Sequence, residues 1–116
     1  MQLQWGKCTS GSWCDFMKLD LAHSVFDGLE GVYIIWHSGD HPATVYVGQG
    51  VIKDRTQAHR SEPEILAFSG SGLFVTWASV DRASRDGVER FLADSLKPKV
   101  GTTHPQTAPI AVNLPW

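Results

Sequence analysis

The chain has 116 residues, 42% of them hydrophobic, so it is long enough to form one domain around a buried core. Ten Lys and Arg residues against twelve Asp and Glu residues give a formal net charge of −2, which argues against a protein that holds nucleic acid through its overall charge. No stretch is apolar for long enough to cross a membrane, and the first residues lack the basic start and apolar run of a signal peptide. We therefore expect a cytoplasmic protein.

The first thirty residues give the weakest secondary-structure signal. Residues 13–21 alternate loosely and predict a strand, whereas residues 21–29 predict a short helix as the alternative. Cys8 and Cys14 are expected to be free buried thiols in a reducing compartment, with a disulfide as the alternative. Zinc is not expected here, because His23 is the only nearby candidate for the two further ligands that it needs.

The pattern sharpens from Gly31 onward. Residues 31–36 and 44–48 are dense in β-branched and aromatic side chains, and the turn-forming residues 37–43 separate them, so they predict an antiparallel hairpin. If Gly39 and Asp40 form a two-residue turn, Tyr33 and Tyr46 lie directly opposite each other on one face of the sheet. A shift of one residue in register would place them on opposite faces.

A helix is predicted next, over residues 51–61, because Gln49-Gly50 should break the strand and Pro63 should end the helix. On this helix Arg55 and His59 are four residues apart and share a face.

The remaining chain predicts one more strand, one more helix and a tail. Residues 73–80 alternate as a third strand, and a second helix, capped by Asp81 or Ser84, should end near Leu96. Glu89 lies at the edge of that helix's apolar stripe. Residues 97–116 hold four of the six prolines and should wrap the surface in extended form, with the apolar end at Leu114–Trp116 docked on the core. The expected fold is α+β, a small and mostly antiparallel sheet of at least three strands flanked by helices.

Hydrolysis of a phosphodiester needs a positioned water that loses its proton, a cation for the developing charge, and an acid for the leaving oxygen. The candidates that these elements could bring together are Tyr33, Tyr46, Arg55, His59 and Glu89.

The same residues carry a family resemblance. Gly31-Val32-Tyr33, twelve further residues, and Tyr46-Val47-Gly48 resemble the two-part signature of the GIY-YIG endonucleases. Arg55, His59 and Glu89 match the arginine, the histidine of some restriction-type members, and the glutamate of that family. The resemblance covers residues 31–101 and implies a single catalytic domain on which residues 1–30 and 102–116 pack as extensions. Many members carry an asparagine near the position of Gly101, a place that Asn113 would have to fill in space.

The resemblance also implies the role of each residue. Glu89 would hold one Mg²⁺ or Mn²⁺ ion, with waters in most of its shell. Arg55 would stabilise charge on the phosphate. The general base stays open among Tyr33, Tyr46 and His59, since a tyrosine needs nearby cations to lower its pKa and a histidine does not.

The expected partner is nucleic acid, DNA more than RNA, with Lys53 and Arg60 as candidate phosphate contacts. A homodimer or a partner protein would supply target specificity, and no membrane contact is expected. The alternative is a GIY-YIG-like domain that binds nucleic acid or a protein partner without cutting, which Gly101 and the acidic charge balance favour.

Overall fold

The computed structural model describes residues 1–116 and contains one four-stranded antiparallel sheet. The strands lie in the order β1-β4-β2-β3, so that β2 is a central strand and β3 an edge strand. Their bounds are β1 Cys14–Asp15, β2 Glu30–His37, β3 Ala43–Val51 and β4 Leu73–Ser79. The predicted α+β class, with a mostly antiparallel sheet flanked by helices, is confirmed.

Three α-helices accompany the sheet: α1 at Ile52–His59, α2 at Pro63–Leu66 and α3 at Arg82–Leu96. Short 3-10 turns occur at Thr9–Gly11, Ser24–Phe26 and Ser69–Ser71. Pro63 ends the predicted helix but also begins α2, because a proline at the first position of a helix has no hydrogen bond to lose there.

The register of the hairpin differs from the prediction. Tyr33 pairs with Gly48 and Ile35 pairs with Tyr46, and a bulge between Ile35 and Trp36 shifts the pairing before the turn. The prediction that the two tyrosines lie directly opposite each other was therefore wrong. They nevertheless share a face, because the offset is two residues and side chains alternate with a period of two.

The predicted break at Gln49-Gly50 was also wrong, since β3 continues to Val51 and pairs there with Glu30. Gly50 has a φ of +133°, a conformation that glycine adopts without steric cost. The glycine therefore bends the strand without ending it.

Both faces of the sheet are covered. One face packs Tyr33, Ile35 and Trp77 against the N-terminal segment, α1 and α2, including the buried Phe16, Phe26, Ile52 and Ile65. The other packs Val32, Ile34 and Trp36 against α3 and the C-terminal tail, including Val88, Leu92 and Val112. A central strand buried on both sides has no polar face, which explains the continuous apolar sequence of β2.

The N-terminal segment corrects three predictions. Cys8 and Cys14 form a disulfide with their Cα atoms 5.1 Å apart, so the expectation of free thiols was wrong. The strand predicted at residues 13–21 shortens to β1, which pairs with β4, and the helix predicted at residues 21–29 shortens to a 3-10 turn. In both cases, contacts with distant parts of the chain decide the local conformation.

The tail after α3 has no helix or strand, as predicted. The backbone N–H of Ile110 donates to the carbonyl of Gly87 at 2.9 Å, and Val112 is buried against the sheet. Trp116 reaches Trp36, with ring centroids 4.8 Å apart. None of the helices combines the length and apolar character that crossing a membrane requires.

Candidate active site

The two tyrosines of the hairpin stack on each other. Their ring centroids are 6.1 Å apart and their planes differ by 14°. Gly48, the partner of Tyr33 across the hairpin, makes this possible, because a Cβ at that position would collide with the Tyr33 hydroxyl. The second glycine of the signature thus provides the space for the first tyrosine.

Helix α1 places His59 against both tyrosine rings. Nε2 of His59 lies 2.6 Å from the Tyr33 hydroxyl, and the His59 and Tyr46 ring centroids are 4.4 Å apart. Oε2 of Glu62 lies 3.0 Å from the other ring nitrogen, Nδ1, away from the direction in which its N–H would point. When the tyrosine hydroxyl donates to Nε2, the hydrogen of a neutral ring is on Nδ1, which lies near the carboxylate but does not point at it. Glu62 was not predicted from the sequence, although it lies only three residues after His59.

Burial and the Arg55 guanidinium determine the electrostatics of this cluster. Burial raises the pKa of Tyr33 and of Tyr46, and Arg55 beside them opposes that rise. Burial lowers the pKa of His59, and Glu62 opposes that change. The Tyr33 hydroxyl beside it raises the pKa of Arg55 further. Near neutral pH the cluster therefore holds neutral tyrosines, a neutral histidine and one fixed cation.

Helix α3 contributes Glu89, which is 7% exposed. Its Oε2 lies 3.0 Å from Nδ1 of His104, and Nε2 of His104 lies 3.1 Å from the carbonyl oxygen of Gly101. The carboxylate and the carbonyl both only accept, so each ring nitrogen of His104 carries a hydrogen when both contacts are hydrogen bonds. His104 was not predicted as a site residue, because it lies in a tail without periodicity and contacts Glu89 only through the tertiary fold.

Gly101 connects this group to the tyrosines. It has a φ of +78°, and a Cβ there would come within 2.8 Å of Cε2 of Tyr46. A side chain in this backbone conformation would strike the Tyr46 ring, so the position favours glycine. The carboxylate of Glu89 is close enough to contribute to the raised pKa of Tyr46.

No family model, curated protein or solved structure matches this chain.

The resemblance to GIY-YIG nucleases thus depends on the order of the residues and on where they lie. Four of the five predicted site residues, Tyr33, Tyr46, Arg55 and His59, form one contiguous cluster. The fifth, Glu89, adjoins it through His104 and Gly101.

Glu89 is the residue in this region that could hold a metal ion. The structure contains no group of three or more His, Cys, Asp or Glu side chains arranged to hold one. Oε2 of Glu89 is engaged by His104, while Oε1 has no hydrogen-bond partner in the protein. One carboxylate with a free oxygen suits a hard cation such as Mg²⁺, which commonly keeps several waters and completes its shell with substrate phosphates.

The other predicted contacts are less central. Two guanidinium nitrogens of Arg60 donate to the carbonyl oxygens of Phe16 and Leu19, at 2.9 and 2.7 Å, so Arg60 fastens the N-terminal segment to α1. Lys53, on the same helix, forms no ion pair and is partly exposed. The side chain of Asn113 pairs with the backbone of Leu3 and therefore does not fill the asparagine's place.

Proposed function

We propose that this protein is a divalent-metal-dependent endonuclease of the GIY-YIG type, which hydrolyses a phosphodiester bond in nucleic acid, DNA more than RNA. The observation that carries the proposal is the single cluster formed by Tyr33, Tyr46, Arg55 and His59, with Glu89 beside it. The residues belong to the hairpin, α1 and α3. Because α1 and α3 cover opposite faces of the sheet, Glu89 adjoins the cluster through His104 and Gly101 at the edge strand β3.

Burial separates the residues that meet the substrate from those that support them. Tyr33 and His59 are each 1% exposed, whereas Tyr46 and Arg55 are partly exposed. We therefore assign Tyr46 to accept the proton of the attacking water at its phenolate oxygen, after its own hydroxyl proton has passed to solvent. The neighbouring Arg55 favours this deprotonated form, because it lowers the pKa of Tyr46 against burial. Arg55 also stabilises the charge that develops on the phosphate.

Tyr33 and His59 act as positioning residues in this proposal. Their 2.6 Å hydrogen bond fixes the imidazole ring, and both rings pack against Tyr46. Glu62 faces the far nitrogen of the imidazole. The orientation of Tyr46 is therefore fixed before a substrate binds. A site with catalytic groups held in place in advance reacts faster, because no ordering is needed during the reaction.

Glu89 would hold the metal ion through Oε1, while His104 keeps the carboxylate oriented through Oε2. The ion would supply a Lewis acid for the phosphate and the leaving oxygen. Lys53 is the proposed phosphate contact outside the cluster, because its amine forms no ion pair within the protein. A homodimer or a partner protein remains our proposal for the source of target specificity.

The second candidate is a domain of the same type that binds nucleic acid or a protein partner without cutting. Two observations favour it. No group of three or more His, Cys, Asp or Glu side chains is arranged to hold a metal ion, and Gly101, packed against Tyr46, stands where the family pattern has an asparagine. The formal charge of −2 points the same way, because a nuclease acting alone must hold its substrate.

The cytoplasmic location expected from the sequence stays a prediction. The Cys8–Cys14 disulfide argues against it, because disulfides persist mainly in oxidising compartments.

Variants at the two charged positions test the assigned roles. Arg55→Ala and Glu89→Gln should each reduce cleavage by roughly a hundredfold or more, since each removes charge stabilisation from the reacting phosphate. Arg90→Ala and Asp94→Asn are the matched controls, because these two residues form an exposed ion pair with each other on α3. Circular dichroism should show all four variants folded. Cleavage by Glu89→Gln at the wild-type rate would contradict the metal-holding role.

A further inference from the structure

Three tryptophans meet on the face of the sheet that α3 covers, beyond the tyrosine cluster. The ring centroids of Trp13 and Trp36 are 5.3 Å apart, those of Trp36 and Trp116 are 4.8 Å apart, and those of Trp13 and Trp116 are 6.1 Å apart. With Pro42, Ala43, Thr44 and the end of α3 they line a cavity of about 520 Å³, which we call the tryptophan pocket.

The rings of this pocket offer both faces and donors to a ligand. Trp116 is 55% exposed and Trp36 is 9% exposed, so one ring stands open above a buried floor. None of the three indole N–H groups donates to the protein, whereas the indole of Trp5 donates to the carbonyl of Asn113 at 2.9 Å. A flat ligand with acceptor atoms would satisfy both the open ring face and these donors.

The charge around the pocket is positive, although the chain as a whole is acidic. Lys97 and Lys99 line the pocket and are exposed, and no acidic side chain lines it. Nζ of Lys7 lies 4.5 Å from the centre of the Trp13 ring and makes a cation–π interaction with it. These three amines repel a cationic ligand, so the pocket suits an aromatic group attached to negatively charged groups.

The pocket and the candidate active site are joined through the backbone of the edge strand β3 and the segment after α3. The backbone N–H of Lys99 donates to the carbonyl of Thr44 at 3.1 Å, and the next pair, Val100 and Val45, bonds at 2.8 Å. The residues that follow, Gly101 and Tyr46, belong to the site. Thr44 and Tyr46 are two residues apart along β3, a distance of about 7 Å, which is short relative to a nucleic-acid strand held in the site.

We propose that the tryptophan pocket binds an unpaired nucleobase of the strand on which the active site acts. The base stacks on Trp116 above Trp36, and Lys97 and Lys99 hold the adjoining phosphates. The choice of nucleic acid as the ligand follows from the proposed function, but base binding in the pocket does not require cleavage. The pocket would direct the enzyme to single-stranded or branched substrates, because a paired base is not free to enter it.

Binding of a short single-stranded oligonucleotide, followed by tryptophan fluorescence in the presence of a chelator, tests this proposal without cleavage. The wild-type protein should bind with quenching of its fluorescence. Trp116→Ala should raise the dissociation constant by roughly tenfold or more, and Trp116→Phe should recover part of the affinity because it retains a ring for stacking. Substitution of Lys97 and Lys99 by Ala should weaken binding and reduce its dependence on salt. Lys18→Ala, an exposed lysine outside the pocket, is the matched control and should bind as wild type.

Several results would overturn the proposal. These are an unchanged dissociation constant for Trp116→Ala, equal affinity and quenching with a blunt duplex, and quenching by an acidic peptide but not by the oligonucleotide, which would indicate a protein partner. The proposed nuclease and the pocket can fail separately. Quenching without any metal-dependent cleavage would support the pocket and contradict the nuclease. Metal-dependent cleavage by a Trp116→Ala variant with unchanged affinity would support the nuclease and contradict the pocket.

Discussion

Tyr33 and Tyr46 stack on each other but differ in burial. This difference underlies the proposed roles, with Tyr33 as a positioning residue and Tyr46 as the residue that meets the substrate. Tyr33 is 1% exposed, and its hydroxyl is hydrogen-bonded to His59. Tyr46 is partly exposed, with Arg55 and Gly101 as neighbours. A tyrosine in a strand is usually a packing residue. Here the inner ring packs and also fixes the imidazole, and the outer ring is left to meet the substrate.

The two hydroxyls should therefore respond differently to removal. Tyr33→Phe leaves Nε2 of His59 buried without a partner and should lower the free energy of unfolding by about 1–3 kcal/mol. Tyr46→Phe should change that free energy by less than about 0.5 kcal/mol and still abolish cleavage. Urea unfolding and a cleavage assay on both variants measure this. Equal stability of the two variants would contradict the distinction.

The buried imidazole of His59 should make stability depend on pH. Burial holds its pKa in the folded protein below the ordinary value of 6.5, so the unfolded chain binds this proton more readily. The stabilising contribution of the neutral ring is complete above pH 6.5 and is lost as the pH falls from there toward the lower folded pKa.

Unfolding measured from about pH 8 to pH 5 tests this pH dependence. The wild-type free energy of unfolding should decrease as the pH is lowered. The decrease per pH unit should be smaller in His59→Gln. His41→Gln, at an exposed histidine, should keep the wild-type decrease. A slope that is the same in wild type and His59→Gln would exclude His59 as its source.

His104 should act on the metal ion through Glu89. His104→Ala removes the partner of Oε2, and we expect the affinity for Mn²⁺ to fall by about 10- to 100-fold, as for other residues that orient a metal ligand. Calorimetric titration with Mn²⁺ in the absence of substrate measures this, with His41→Ala as the control. Unchanged Mn²⁺ affinity would remove His104 from the site.

Elements with a clear period could be predicted from the sequence, and elements defined by distant contacts could not. The alternation of residues 73–80 and the apolar stripe that ends at Leu96 come close to the bounds of β4 and α3. The hairpin was predicted but its register was not, because the bulge after Ile35 arises from pairing on both sides of β2. Strand β1 depends on pairing with β4, nearly sixty residues away in sequence, which no local pattern indicates.

The disulfide should stabilise the N-terminal segment and leave the site intact. Closure of this short loop is worth about 2 kcal/mol on the chain-entropy model. Reduction should therefore lower the urea midpoint of the wild-type protein, and a Cys8→Ala, Cys14→Ala double variant should show no response to the reductant. Cleavage should be unchanged in both cases. A wild-type midpoint that the reductant does not move would contradict a stabilising disulfide.

At the scale of the whole molecule, the predictable part of the site is the part that is local in sequence. Tyr33 to His59 span one hairpin and the helix that follows it, so their order already indicated a common face. Gly101 and His104 acquire their places only when α3 and the tail close over the edge of β3, whereas Glu62 is local to His59 but lies outside the predicted helix. The tryptophan pocket is less local still, since its rings come from positions 13, 36 and 116.

Metal-dependent cleavage by the wild-type protein is the property on which the proposed function depends most directly. The decisive measurement is incubation with duplex plasmid, single-stranded DNA and branched DNA, each in Mg²⁺, in Mn²⁺ and in chelator. We predict strand breaks with either metal ion, strongest on substrates with unpaired bases, and none in chelator. Breaks that persist in chelator would contradict the metal-dependent mechanism, and intact DNA under every condition would contradict the proposed nuclease.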